Sequence, residues 1–204
     1  MKHICLFFAA IIFVTFPTLS YSQNDAPVAR VFGKDIFLAD LTGSPDDQPS
    51  AESRAQQLAA IIWVPIMDAF AKTHAIEPTE EEIRSFAGAM MAYPPPGQDV
   101  APPQLPPEME RKLYGTFVRN WKMSKALYEE YGGTVIFQQA NPLEPVGAYR
   151  KLLEMHEAKG DFKIYDEQLK ILFWAYYTQK HLEIPPEEVD YSQPWWLKKS
   201  PSAQ

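Results

Sequence analysis

Cysteine is almost missing. The only one among 204 residues is Cys5, and it lies inside an N-terminal apolar run. The chain beyond that run therefore has no disulfide, no thiolate nucleophile and no cysteine metal ligand. Histidine is scarce as well, with four in all. His74, His156 and His181 lie beyond the apolar run, none stands four residues from another, and no His-Glu-x-x-His occurs. Local spacing therefore encodes no zinc site. Gly-x-Ser-x-Gly, a phosphate loop and a dinucleotide fingerprint are all missing, so the motifs exclude those enzyme classes. Positive charge is in short supply: 19 Lys and Arg face 26 Asp and Glu, for a net charge of -7. That balance argues against nucleic acid or anionic lipid as a partner.

Long hydrophobic runs are limited to Ile4 to Phe16. This run is shorter than the ~20 residues a membrane-spanning helix needs. Lys2 and His3 precede it, Pro17 breaks it, and Ser20-Tyr21-Ser22 follows with small residues where a signal peptidase reads. The pattern predicts a signal peptide over 1–22, cut after Ser22. Cys5 is too early to be a lipid attachment site. The expected location is periplasmic or secreted, with no stable membrane insertion after cleavage. Loss of Lys2 takes the net charge from -7 to about -8. The remaining ~180 residues suffice for one domain that must hold itself without staples.

Periodicity predicts a mainly helical domain over 23–185 with a few short strands, then a tail over 186–204. Val28 to Phe32 and Asp35 to Leu38 read as strands around Gly33-Lys34. Asp40 to Ser53 is loop-like in composition. From Glu52 to Thr73, Leu58, Ile61, Ile62, Ile66, Ala69 and Phe70 recur at helical spacing. The apolar face stays in register across Pro65, which predicts one long helix kinked at Ile61 to Pro65.

Pro78-Thr79-Glu80-Glu81-Glu82 is a helix start. Thr79 can cap, Glu82 holds the reciprocal position, and three acids meet the positive helix end. Successive helical residues point apart, so these acids form no calcium or general-base cluster. Glu154, His156 and Glu157 read as solvated for similar reasons. Tyr93 to Pro107 holds seven prolines and reads as an extended connector.

Glu108 to Tyr131 is the longest helix expected, with Leu113, Phe117, Trp121 and Tyr128 on one face and a dip at Ser124. Gly132-Gly133 ends it. Thr134 to Phe137 looks β-rich, Val146 to Lys159 helical, and Phe162 to Tyr165 a strand. Asp166 can cap a last helix reaching about His181, apolar on most of its circumference and so expected to be buried. Trp195-Trp196 lies in the acidic, proline-rich tail.

Laid out this way, residues 28–131 resemble the N-terminal chaperone domain of SurA-type periplasmic proteins. The likeness rests on Val28-Ala29-Arg30-Val31-Phe32-Gly33, Ile36 to Leu41, Leu58 to Thr73, and Ala75-Ile76 leading into Thr79 to Phe86. The helix over 108–131 matches in length and stripe alone. Two departures stand out. Phe32 replaces the usual Asn before Gly33, which changes the turn's tolerance for positive φ. No parvulin isomerase segment follows, and residues 132–185 have no assignment from the resemblance. The likeness implies a helical domain that shields unfolded outer-membrane or secreted polypeptides, with no cofactor, no metal and no isomerase activity.

An open apolar groove for such clients needs adaptable, exposed side chains. Phe70, Phe86, Met90, Met91, Tyr93 and Phe117 are the groove residues expected from the helical stripes, with the aromatic helix over 166–181 as the alternative surface. A second function class fits the same features: an interaction protein that holds one specific envelope partner. The leader itself is tested by mass. The protein recovered from a periplasmic or secreted fraction is expected to begin at Gln23, and an intact mass that still includes Met1 to Ser22 contradicts cleavage.

Overall fold

In a computed structural model, residues 26–41, 49–92, 106–139 and 141–198 are described. The predicted leader, Tyr93 and most of the proline-rich connector lie outside them. Three short antiparallel strands form a sheet: β1 (Ala29–Val31), β2 (Lys34–Ile36) and β3 (Phe162–Ile164), in the order β2-β1-β3. β1 is the central strand. Ala29 faces Ile36 on one side and Ile164 on the other, while Val31 faces Lys34 and Phe162. Alternate residues point to one face, so Ala29, Val31, Ile36, Phe162 and Ile164 are all buried.

Five helices account for most of the rest: α1 (Ala51–Thr73), α2 (Glu80–Ala92), α3 (Pro107–Tyr131), α4 (Val146–Lys159) and α5 (Glu167–Thr178). Each start has a local cause. The Ser50 hydroxyl accepts from the Ser53 N–H, and the Asp166 carboxylate accepts from the Leu169 N–H. At α2 the Thr79 N–H donates to Glu82 at 2.7 Å and the Glu82 N–H donates to the Thr79 hydroxyl at 3.2 Å, a reciprocal capping box. Pro107 opens α3, where its missing N–H loses no helical bond. Gly160, at φ 80°, closes α4. α1 runs as one helix through Pro65.

The main core lies between α1, α4, α5 and the sheet. Leu58, Ile62, Ile66 and Phe70, one turn apart along α1, pack with Leu127, Leu152, Leu153, Phe162, Leu169 and Phe173. α1 packs along α5, while α3 carries α2 and α4. Lys122 of α3 anchors α2 by donating to the Glu77 carbonyl at 2.8 Å and pairing with Glu82 at 3.0 Å. His74 joins the end of α1 to α3, donating to the Phe70 carbonyl at 2.9 Å and meeting Glu130 at 2.8 Å. Among the described residues, no helix is long and apolar enough to cross a membrane.

Three sequence expectations are corrected. Residues 134–137 form no strand. Ile136 makes single-residue bridges to Glu144 and to Glu183, and Pro142 and Pro145 lack the N–H groups that a longer ladder needs. α5 ends at Thr178 rather than His181, with Gln179 already extended. It is also not buried all round: Leu169 and Phe173 are inside, but Ile171 is 68% exposed and Trp174, Tyr176 and Tyr177 are half-buried. α1 covers one side of α5 and leaves another open.

The hairpin turn is formed by Phe32 and Gly33. Phe32 has φ 47° and Gly33 φ 80°, the paired left-handed geometry of a tight two-residue hairpin. Asn adopts that region at lower cost than Phe. Phe32 is also half exposed, so little packing is lost by removing its ring. Phe32→Asn is expected to stabilise the protein by about 1 kcal/mol, read as a rise in the urea midpoint at unchanged m-value. A fall in the midpoint would mean that the ring contributes more than the turn loses.

Candidate functional site

The structure separates the groove residues expected from sequence. Phe70 belongs to the main core, with its ring 3.9 Å from that of His74 and 6.3 Å from Tyr131. Met91 is 63% exposed and packs in no core cluster. Tyr93 lies outside the described residues. Phe86, Met90 and Phe117 do come together, between α2 and α3. Phe86 stacks on Phe117 with centroids 5.3 Å apart and rings 11° from parallel, and Met90 packs beside them with Val118 and Trp121.

That surface is largely covered by the chain itself. Packing continues well past residue 185, where sequence placed the start of a tail. Tyr191 is buried and donates its hydroxyl to the Leu143 carbonyl at 2.7 Å. A 3-10 turn, Trp195–Leu197, then sets both indoles on the groove. Trp195 and Trp196 meet Phe86 edge-on at 5.8 and 5.1 Å, and Trp196 meets Trp121 at 5.6 Å. A hollow of about 350 Å³ remains, lined by Phe86, Met90, Phe117, Gln139 and Trp195. Two indole N–H groups, of Trp121 and Trp196, are buried here without a hydrogen-bond partner among the described residues.

A larger cleft, of about 530 Å³, opens where α1, α3 and α5 diverge. Trp63, Met67 and Asp68 come from α1, Arg119 and Met123 from α3, and Tyr176 and Tyr177 from α5. Tyr149 of α4 reaches in from behind, and Asn141 and Glu144 come from the segment before α4. Trp63 meets Tyr149 edge-on at 4.9 Å and lies 6.2 Å from Tyr177 at 24°. Tyr176 and Tyr177 stand perpendicular at 5.3 Å. The volume falls in the range of small-molecule and side-chain sites, and the mix of apolar wall with a few fixed polar groups is typical of them.

Hydrogen bonds fix those polar groups. Ser124, fully buried, bonds the Tyr149 hydroxyl at 3.1 Å and accepts from the Asn141 amide at 2.9 Å. The Tyr176 hydroxyl donates to Glu144 at 2.7 Å. At the rim Arg119 pairs with Asp68 at 2.7 Å. Burial raises the Glu144 carboxyl above its ordinary range, against the opposing pull of the Tyr176 hydrogen bond and of His181. Burial also raises the phenols of Tyr149, Tyr176 and Tyr177, which keeps them neutral hydrogen-bonding groups at physiological pH. The arrangement offers aromatic surface, one desolvated carboxyl and one oriented amide. Such groups are able to pack against and hydrogen-bond a ligand.

Sequence reasoning missed Trp63, Tyr149, Asn141 and Glu144. Two signals pointed their way: Trp63 sits beside the α1 stripe rather than on it, and Ser124 interrupts the stripe of α3. Among the described residues, no group of three or more His, Cys, Asp or Glu is placed to hold a metal ion. Comparison of the chain with protein-family models, with curated proteins and with solved structures finds no match.

The packing of the C-terminal turn is testable. Trp196 is buried against Phe86 and Trp121, so Trp196→Ala is expected to cost roughly 3 kcal/mol, the low end for a buried aromatic. The same change should increase binding of an apolar dye by uncovering Phe86 and Phe117. A loss below about 1 kcal/mol with no dye response would mean that the turn rests on the surface without holding it.

Proposed function

We propose that this is an exported protein that binds unfolded or extended polypeptide, chaperone-like and without an isomerase step. The observation that carries the reading is the open aromatic cleft between α1, α3 and α5, with Asn141 and Glu144 at its inner end. Its aromatic walls suit side chains of a non-native chain, and its fixed polar groups suit the amides or polar side chains that accompany them. The likeness of residues 28–131 to a SurA-type chaperone domain supports the same reading. So does one local detail: Ala75 has φ 50°, a conformation suited to glycine or a small residue, at the step where that resemblance has Gly or Ala.

The reading moves the expected contact surface. The α2–α3 face is covered by Trp195 and Trp196, whereas the α1–α5 cleft stays open beside the helix that sequence named as the alternative. Binding should be weak, because one cleft of this size anchors one or two side chains and ordering an extended chain opposes association. A dedicated envelope partner is the second reading. The polar-defined cleft favours it, since a few fixed groups select more narrowly than a broad apolar groove.

Micromolar protein is expected to slow the aggregation of an unfolded outer-membrane protein. Trp63→Ala should weaken that protection by about tenfold in apparent affinity. Met90→Asp with Met91→Asp should change it far less. Lack of protection at stoichiometric excess overturns the chaperone reading and leaves the dedicated partner. Protection that Trp63→Ala leaves intact, and the Met90/Met91 pair abolishes, returns the surface to α2.

A further inference from the structure

We propose that the α1–α5 cleft selects a basic side chain, a lysine ammonium or an arginine guanidinium, with Glu144 as its counter-charge and Trp63, Tyr176 and Tyr177 as its walls. The inference rests on the polypeptide-binding reading and names the side chain that the cleft takes.

Three observations converge on a cation. The first is aromatic. Trp63 and Tyr149 stand 81° apart, and Tyr176 and Tyr177 stand 90° apart. Four aromatic rings set in different planes line the cleft, and in this proposal an entering group meets ring faces among them. Those faces carry the negative end of the ring quadrupole and attract ammonium and guanidinium groups. The alkyl stem of such a side chain suits the Met67 and Met123 walls.

The second observation is the state of the charges. Glu144 lines the cleft and takes one hydrogen bond, at 2.7 Å, from the neutral Tyr176 hydroxyl. Among the described residues, no basic side chain forms an ion pair with it. Arg119 is the one basic residue in the lining, and Asp68 at the rim already holds it. His181 acts on Glu144 at longer range, while its own Nε2–H donates to the Tyr176 carbonyl at 2.6 Å. Burial disfavours the Glu144 charge, and an incoming cation relieves that penalty.

The third is exclusion. An anion entering the cleft would meet Glu144 head-on. A purely apolar side chain would desolvate Glu144 further and offer its charge nothing in return. A cation gains from the rings and from the carboxyl together. The net charge of -7 draws cations towards the protein from a distance.

The test titrates the full chain with two pairs of probes. One pair is a short extended peptide with a central lysine and the same peptide with norleucine. The other is choline and its uncharged isostere 3,3-dimethylbutan-1-ol. The lysine peptide is expected to bind about tenfold tighter than the norleucine peptide, with a change in tryptophan emission. Glu144→Gln should remove that preference while keeping residual binding of both peptides. Trp63→Leu, a second variant that keeps an apolar wall, should weaken lysine more than norleucine.

Equal affinity for the two peptides overturns the cation inference and leaves polypeptide binding standing. Binding of choline but not its isostere, lost in Glu144→Gln and with neither peptide bound, keeps the cation site and overturns its polypeptide source. Binding of none of the four overturns both.

Discussion

The pairing of β1 with both its hairpin partner β2 and the sequence-distant β3 is the constraint that the rest of the structure depends on. β1 is hydrogen-bonded to β2 within the hairpin and to β3, more than a hundred residues later. The Phe32 N–H donates to the Asp161 carbonyl at 2.6 Å, and the Val28 carbonyl accepts from both Tyr165 and Asp166. Asp166 is the cap of α5. The same few hydrogen bonds that close the sheet therefore also fix where α5 begins. α1 follows the hairpin and α5 follows β3, so the sheet sets them side by side. Their shared flank is the cleft. Such long-range closure carries an entropic cost that the contacts of the sheet and of the core beneath it must offset.

A second constraint sets the far wall. The described residues between α3 and α4 form no helix and only single-residue bridges, yet they position Asn141 and Glu144. They are pinned on several sides. Ile136 exchanges hydrogen bonds with Glu144 at 2.8 and 3.0 Å, and the Gly147 N–H donates to the Thr134 carbonyl at 2.9 Å. A Cβ on Gly147 would collide with the Thr134 nitrogen and come within 3.0 Å of Gly133, so only glycine fits this crossing. Gly133 itself has φ 97°. Ser124 completes the arrangement from α3, reaching Tyr149 and Asn141 at once. A buried hydroxyl that satisfies two partners converts a loop into a wall.

The features legible in the sequence were those set by neighbours in the chain. Thr79 and Glu82, Asp166 and Gly160 mark helix ends through contacts within four residues. The one-turn spacing of Leu58, Ile62, Ile66 and Phe70 marks a buried face. Phe32 before Gly33 announced a strained turn. What could not be read depends on distant partners. Phe70 and Phe86 look alike on their stripes, yet one joins the main core and the other a separate cluster. The apolar circumference of α5 suggested burial, but burial depends on how many neighbours arrive, and α1 covers one side only. Thr134 to Phe137 had strand composition, while its partners are single residues on two different segments. Glu144 lies between two prolines in a stretch that carries no periodic signal at all.

Two apolar surfaces of the protein are finished in different ways. The α2–α3 face is closed by the chain's own Trp195 and Trp196, and the closure is crude in polar terms: the indole N–H groups of Trp121 and Trp196 have no partner among the described residues. Burial of aromatic area outweighs those two losses, since each indole removes 150–250 Å² or so from water at about 25 cal/mol per Å². An unmade hydrogen bond costs roughly 1–3 kcal/mol. Buried area dominates that closure, and the Tyr191–Leu143 hydrogen bond and the Lys198–Asp190 pair help to hold the segment in place. The α1–α5 cleft is built the other way. It leaves Trp63, Tyr176 and Tyr177 half-buried, while Tyr149, Asn141 and Tyr176 each hold a defined partner. A surface that needs only cover takes whatever apolar segment is near. Oriented polar groups beside open apolar walls are instead the finish of the cleft between the helices that the central strand sets in place.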